Sequence, residues 1–142
     1  MKKKTRLEKS PQKQELRIDQ KKRDRVAAVL GIMVGLLTIT EGGRVLLGLS
    51  TPAYTVLPWL VWYNVAMGAV SVAAGVGIWR QRSCSIDLGV NILALHAVVF
   101  AGLLALRQMG QPVAAVSLFA MLFRTFLWIV IVSLVKWNRQ DR

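Results

Sequence analysis

Thiol and imidazole groups are scarce in this chain of 142 residues, which contains one cysteine and one histidine. The single thiol, Cys84, excludes an intramolecular disulfide, a CxxC redox pair and a zinc site made of thiolates. The sequence also lacks a nucleophile elbow, a phosphate-binding loop and paired metal ligands at a recognisable spacing. We therefore expect no enzymatic activity, no metal and no other cofactor.

Acidic residues are also few, since seven Asp and Glu stand against 19 Lys and Arg for a net charge of +12. The excess is concentrated in residues 1–25, which contain 11 basic and 4 acidic residues. Scattered aliphatic residues there do not make the wide apolar face that an interfacial helix needs. We predict a solvated or partly helical cytoplasmic extension, in which a helix begins near Pro11 and continues into the membrane.

Two interpretations of this basic tail stay open. A positive-inside topology signal explains the charge and is favoured. The alternative is contact with anionic lipid headgroups or RNA, in which each basic residue held near a lipid surface adds about 1 kcal/mol. We do not expect nucleic acid to be the partner. The residues assigned to such a contact are Lys2, Lys3, Lys4, Lys21, Lys22, Arg23 and Arg25.

Beyond residue 25 the chain is almost entirely apolar, and 54% of all its residues are hydrophobic. A helix needs about 20 apolar residues to cross a hydrocarbon core of ~30 Å. We predict an all-α integral membrane domain at 26–137, followed by a short C-terminal end at 138–142. Its four transmembrane helices are expected at about 26–49, 56–79, 86–106 and 113–137.

The charges of the loops predict the orientation. If the N-terminus is cytoplasmic, 16 basic residues lie on the inner side and two, Arg44 and Arg107, lie outside. Because inner loops of membrane proteins are enriched in Lys and Arg, both termini are expected in the cytoplasm and the protein in the cell (plasma or inner) membrane. Short connections favour an up-down-up-down bundle in which the fourth helix lies beside the first.

Strongly polar residues inside the apolar segments are predicted to form one buried cluster. Counted from the outer face at 1.5 Å per residue, Glu41, Asn64, His96 and Arg124 fall within a layer about 5 Å deep. An arginine near mid-membrane costs ~2.5 to 3.5 kcal/mol and needs a partner. We expect Arg124 to pair with Glu41, with Asn64, His96, lipid phosphate or a bound anion as the alternatives.

Two members of this cluster have competing interpretations. His96 could relay protons or bind a metal, but a hydrogen-bonded core histidine is favoured because no other metal ligands occur at a recognisable spacing. Asn64 could bind a substrate, but a hydrogen bond between helices is favoured. We therefore expect both side chains to be structural.

Small residues predict where the first two helices touch. Gly31 and Gly35 form a GxxxG motif, which allows close approach of a neighbouring helix. Gly68, Ser71 and Gly75 recur with Asn64 at helical spacing and therefore lie on one stripe of the second helix. We predict that these residues form helix-packing faces.

Two function classes follow from this organisation. The favoured one is a structural or regulatory multi-pass membrane protein whose polar layer specifies helix packing, with the lipid bilayer, another membrane protein or a second copy as its partner. The alternative is a proton- or ion-coupled transporter or channel subunit, in which Glu41 and His96 exchange protons and Arg124 holds an anion. The small size of the chain requires a homo-oligomer in the second case.

Overall fold

The computed structural model describes the backbone of residues 11–140 and the side chains of residues 18–136. Within residues 11–140 the chain forms four α-helices and no β-strand. They are α1 (Pro11–Leu46), α2 (Pro58–Trp79), α3 (Cys84–Gln108) and α4 (Ala115–Gln140). Each contains a segment of at least 22 residues that is long and apolar enough to cross a membrane. The predicted all-α fold with four apolar helices is confirmed for this part of the chain.

Helix α1 joins the basic extension to the first apolar segment without a break. All of its described residues from Pro11 to Leu46 are helical, which agrees with the predicted helix that continues from the basic extension into the membrane segment. The segment Ile18–Leu46 has the length and hydropathy of a membrane span. Lys2, Lys3 and Lys4, which were assigned to a lipid contact, lie outside the described residues.

The end of α1 differs from the predicted one near residue 49, because the helix stops at Leu46. Gly48 adopts a left-handed conformation with a φ of 69°. The Leu49 N–H donates to the Arg44 carbonyl at 2.9 Å, and the Gly48 N–H donates to the Val45 carbonyl at 3.1 Å. This pair of hydrogen bonds is a Schellman motif, which satisfies the last carbonyls and turns the chain away from the helix axis.

Helices α2 and α3 end in the same way, with Gln81 and Gly110 in the left-handed position. Glycine adopts this conformation freely, but a glutamine at a φ of 55° is disfavoured by roughly 1 kcal/mol. The connection between α2 and α3 is short, at residues 80–83, and the one between α3 and α4 covers residues 109–114. The connection between α1 and α2 is longer than expected and covers residues 47–57.

The helices pack in a ring, in which α1 contacts α2 and α4, and α3 also contacts α2 and α4. The expected contact between the first and fourth helices is therefore present. Along the α1–α2 contact, Gly35 meets Gly68 and Val72, whereas Gly42, further along α1, meets Val65, which is earlier in α2. The two helices therefore run in opposite directions along their shared face.

Buried apolar side chains form two clusters. One surrounds the fully buried Trp128 and includes Ala27, Ala28, Ile78, Ile92, Ile131 and Val135. The other consists of Leu60, Leu103, Val113 and Met121. Large apolar side chains also cover the outside of the bundle, among them Met33, Leu37, Trp62, Val98, Phe119 and Phe126. Exposed apolar surface of this extent is compatible with a surrounding of lipid.

Candidate functional site

The guanidinium of Arg124, on α4, contacts two other helices. Its Nε donates to the hydroxyl of Thr38 on α1 at 3.2 Å, and its Nη1 donates to the amide oxygen of Asn64 on α2 at 3.1 Å. Thr38 is buried, and Asn64 and Arg124 are half-buried. Arg124 therefore links α1, α2 and α4 through acceptors that carry no charge.

These contacts correct the ion pair that was expected between Arg124 and Glu41. Among the described side chains, Glu41 forms no ion pair with Arg124 and is exposed. Glu41 follows Thr38 by three residues, so it lies on a neighbouring part of the α1 surface about 4.5 Å further along the axis. Thr38 takes the position that was assigned to Glu41, and Asn64 is one of the alternative partners that the sequence analysis named.

Sequence reasoning did not single out Thr38. A threonine is common in membrane helices and often hydrogen-bonds within its own helix, so its identity alone carries little information. Its position one turn before Glu41, on the same face of α1, is the feature that could have identified it.

A second polar contact joins α2 to α3. The Tyr63 hydroxyl and His96 Nδ1 lie 2.7 Å apart and share a hydrogen bond. The two rings also meet edge to face, with centroids 5.8 Å apart and an interplanar angle of 73°. With 2% of its surface exposed, His96 is a hydrogen-bonded core residue, as the sequence analysis favoured. No group of three or more His, Cys, Asp or Glu residues in the described part of the chain is arranged to hold a metal ion.

The hydrogen bonds of Arg124 and the Tyr63–His96 contact lie between the two apolar clusters. On α4, Arg124 comes after Met121 of one cluster and before Trp128 of the other. On α3, His96 lies between Ile92 and Leu103, which also belong to different clusters. We call the set Thr38, Tyr63, Asn64, His96 and Arg124 the polar layer. It contains residues from each of the described helices α1 to α4.

A cleft of about 320 Å³ extends from the polar layer toward the α1–α2 connection. Its walls come from α1, α2 and α4, and it is partly open to the surroundings. Charged and polar residues on its lining include Thr38, Glu41, Asn64, Ser117 and Arg124. Glu41 and Arg124 therefore line the same cleft without being paired to each other.

The small residues named from the sequence lie where α1 meets α2. A methyl group on Gly35 would approach the Gly68 carbonyl oxygen to 2.6 Å, and one on Gly75 would approach the Ala28 carbonyl oxygen to 2.8 Å. Ser71 is buried in the same contact. At Gly31 the nearest atom would be 3.5 Å away, which is an ordinary van der Waals distance. The two glycines of the GxxxG motif therefore have different packing environments.

At the other end of the bundle, α1 contacts the start of the α2–α3 connection. Gln81 Nε2 donates to Asp24 Oδ2 at 3.2 Å, and the Arg25 guanidinium lies 5.7 Å from the centre of the Trp79 ring. The Asp24 contact joins α1 to the left-handed Gln81 and was not predicted from the sequence. The remaining candidate lipid-contact residues in the described part, Lys21, Lys22 and Arg23, are exposed.

No protein family, curated protein or solved structure matched this chain. Its function is therefore inferred from the contacts of its own residues. The polar layer and the adjoining cleft are the parts of the described structure where polar groups meet inside an apolar bundle.

Proposed function

We propose that this chain is a structural or regulatory protein of the cell membrane in which the polar layer specifies how α1 to α4 pack. The observation that supports this best is that Arg124 donates to Thr38 on α1 and to Asn64 on α2. In a bilayer, apolar side chains gain nothing by leaving lipid, so hydrogen bonds and close backbone contacts select one arrangement of helices. A cation that requires two acceptors on two neighbouring helices provides that selection.

The proposal places the helices in an up-down-up-down order across the membrane, with both termini in the cytoplasm. The distribution of Lys and Arg supports this orientation, with 16 on the proposed inner side and two outside. The antiparallel contact of α1 with α2 and the contact of α1 with α4 agree with the same arrangement.

The basic extension supports a second part of the proposal, which is attachment of the cytoplasmic surface to anionic lipid headgroups. Because α1 continues from Pro11 into the apolar segment, the basic residues nearest the membrane are on a rigid helix. Lys21, Lys22, Arg23 and Arg25 are exposed there. Such residues are each worth about 1 kcal/mol at an anionic surface. A second copy or another membrane protein remains the proposed protein partner.

Stability measurements test the structural role. We expect Asn64→Ala to lower the free energy of unfolding by about 1 kcal/mol, because it removes an acceptor from Arg124 inside the membrane. Asn91→Ala is the matched control, since Asn91 is an exposed asparagine on α3. The Asn64→Ala and Arg124→Gln changes should be non-additive, and a double-mutant cycle on the purified protein measures this coupling.

A functional measurement separates the proposal from its alternative. A strain that lacks the protein should grow normally against a panel of cations, drugs and pH values. Liposomes that contain the purified protein should show no proton or ion flux. Additive effects of Asn64→Ala and Arg124→Gln, together with flux that Arg124→Gln abolishes, would contradict a structural role.

The cleft favours a second candidate function, a proton- or ion-coupled transporter or channel subunit. Glu41 and Arg124 line one cavity that reaches from the polar layer to the α1–α2 connection. Ionisable groups on a cavity inside a bundle are typical of substrate and ion pathways. This candidate requires a homo-oligomer because of the small size of the chain, and crosslinking in membranes that detects only monomer counts against it.

A further inference from the structure

We propose that the cleft between α1, α2 and α4 binds a small zwitterionic group, with an oxyanion on Arg124 and an ammonium group beside Glu41. This inference goes beyond a packing role for the polar layer. It depends on the two opposite charges that line the cleft without pairing to each other.

Arg124 contributes the positive charge of the cleft. Both of its hydrogen-bond acceptors in the described structure, Thr38 and Asn64, are neutral, so its positive charge is not compensated by them. A guanidinium has five N–H donors, and these two contacts use one on Nε and one on Nη1. The other donors can hold a phosphate or carboxylate oxygen, for which the planar guanidinium has matching geometry.

Glu41 contributes a negative charge to the same cleft. Within residues 18–136 this carboxylate takes part in no ion pair, although it lines the same cleft as Arg124. Thr38 contacts Arg124, and Glu41 follows Thr38 by three residues on one face of α1. Glu41 therefore lies about one helical turn, ~5 Å along the axis of α1, beyond the residue that contacts Arg124.

Two opposite charges that line one cleft without pairing restrict the ligand. A simple anion bound to Arg124 would repel the Glu41 carboxylate and leave its charge uncompensated. A simple cation bound to Glu41 would likewise repel the Arg124 guanidinium and leave its charge uncompensated. A molecule with an oxyanion and an ammonium group a few ångströms apart satisfies both. The phosphoethanolamine group has this chemistry.

The size and position of the cleft agree with such a group. Its volume of about 320 Å³ lies at the lower end of the range for small-molecule sites, ~300 to 1,000 Å³. Tyr54 and Pro52, from the connection between α1 and α2, line its other end. In the proposed orientation that end is at the outer membrane surface, where either a lipid headgroup or a soluble zwitterion can reach it.

Ligand-dependent stability of the full-length protein in detergent tests the proposal. The probes are short-chain phosphatidylethanolamine, soluble glycerophosphoethanolamine, and short-chain phosphatidylglycerol, which has the phosphate but no ammonium group. We expect phosphatidylethanolamine to raise the melting temperature more than phosphatidylglycerol does. A rise with glycerophosphoethanolamine too supports a soluble zwitterion, and a rise with the lipid alone supports a headgroup.

Two variants and two controls complete the test. Glu41→Gln and Arg124→Gln should each weaken phosphatidylethanolamine binding by about tenfold, the effect expected for one charge-assisted contact. Arg44→Gln and Asp87→Asn should leave it unchanged, because both residues are exposed and neither lines the cleft. Glu41 is itself exposed, so Glu41→Gln remains informative if Arg124→Gln does not fold.

Three results would overturn the proposal. The first is no stabilisation by either ethanolamine probe. The second is equal stabilisation by phosphatidylglycerol and phosphatidylethanolamine, which would show that the anion alone is recognised. The third is phosphatidylethanolamine binding that Glu41→Gln leaves at the wild-type affinity. Each of these results leaves the stability predictions for Asn64 unaffected.

Discussion

Alanine substitutions at Gly31 and Gly35 of α1 should change the stability of the protein differently, although both residues belong to one GxxxG motif. At Gly35 the added methyl group would lie 2.6 Å from the Gly68 carbonyl oxygen and 2.9 Å from the Val72 backbone nitrogen. Neither atom can move without shifting the α2 backbone. At Gly31 the nearest atom would be the Gly75 Cα at 3.5 Å, which is an acceptable contact.

The magnitudes follow from two opposing terms. Inserting a methyl group into a closely packed contact costs about 1 to 3 kcal/mol. Replacing glycine by alanine inside a helix raises the free energy of unfolding by up to about 1 kcal/mol, because the unfolded chain loses conformational freedom. We therefore expect Gly35→Ala to lose about 1 to 2 kcal/mol. Gly31→Ala should be neutral or slightly stabilising, since the gain in helix propensity applies fully there and the packing cost does not.

Reversible unfolding of the purified protein in mixed micelles measures these differences. Gly43→Ala is the control, because a methyl group there would meet no described atom within 4 Å and reports only the helix propensity. The packing argument is refuted if Gly35→Ala is as stable as Gly43→Ala, or if Gly31→Ala loses as much as Gly35→Ala. Either result would mean that the α1–α2 contact can open at little cost.

Two further predictions concern orientation and the basic tail. Cys84 is exposed at the start of α3, which the proposed orientation places on the cytoplasmic side. Thiol reagents that cross membranes should therefore label it in intact cells, while impermeant reagents should not. The double variant Cys84→Ser, Gln111→Cys, with its thiol in the α3–α4 connection, should show the reverse accessibility to impermeant reagents. Deleting residues 2–20 removes seven of the 11 basic residues and leaves Lys21, Lys22, Arg23 and Arg25, so insertion should be normal while salt-sensitive binding to anionic vesicles is weakened. Unchanged vesicle binding at low salt would reduce the tail to a topology signal.

The sequence by itself determined the number and type of the apolar segments within residues 11–140. Length and hydropathy decide whether a helix can cross a hydrocarbon core, and both can be counted along the chain. The continuity of α1 from the basic extension into the apolar segment was also predictable, because the residues after Pro11 are good helix formers. The end of α1 was predicted too late, although Gly48 was a visible indication of a left-handed cap.

The sequence also predicted that Glu41, Asn64, His96 and Arg124 lie at one depth, since depth depends on the rise per residue, and Arg124 and Asn64 are in contact. It did not decide which side chains face each other. That depends on the rotation of each helix about its own axis and on the register of its neighbour. The rotation of α1 turns Thr38 toward Arg124 and leaves Glu41 on the wall of the cleft. Arg124 therefore forms two hydrogen bonds to neutral acceptors in place of the expected ion pair.

Tertiary structure likewise decided which small residues carry the close contact. Gly31 and Gly35 have the same chemistry and lie one turn apart, but only at Gly35 would a methyl group collide with the backbone of α2. The contact between Asp24 and Gln81 joins residues 57 positions apart and has no pattern in the sequence. Local chemistry therefore determined where the helices form. The rotation and register of the packed helices decided which of those groups meet.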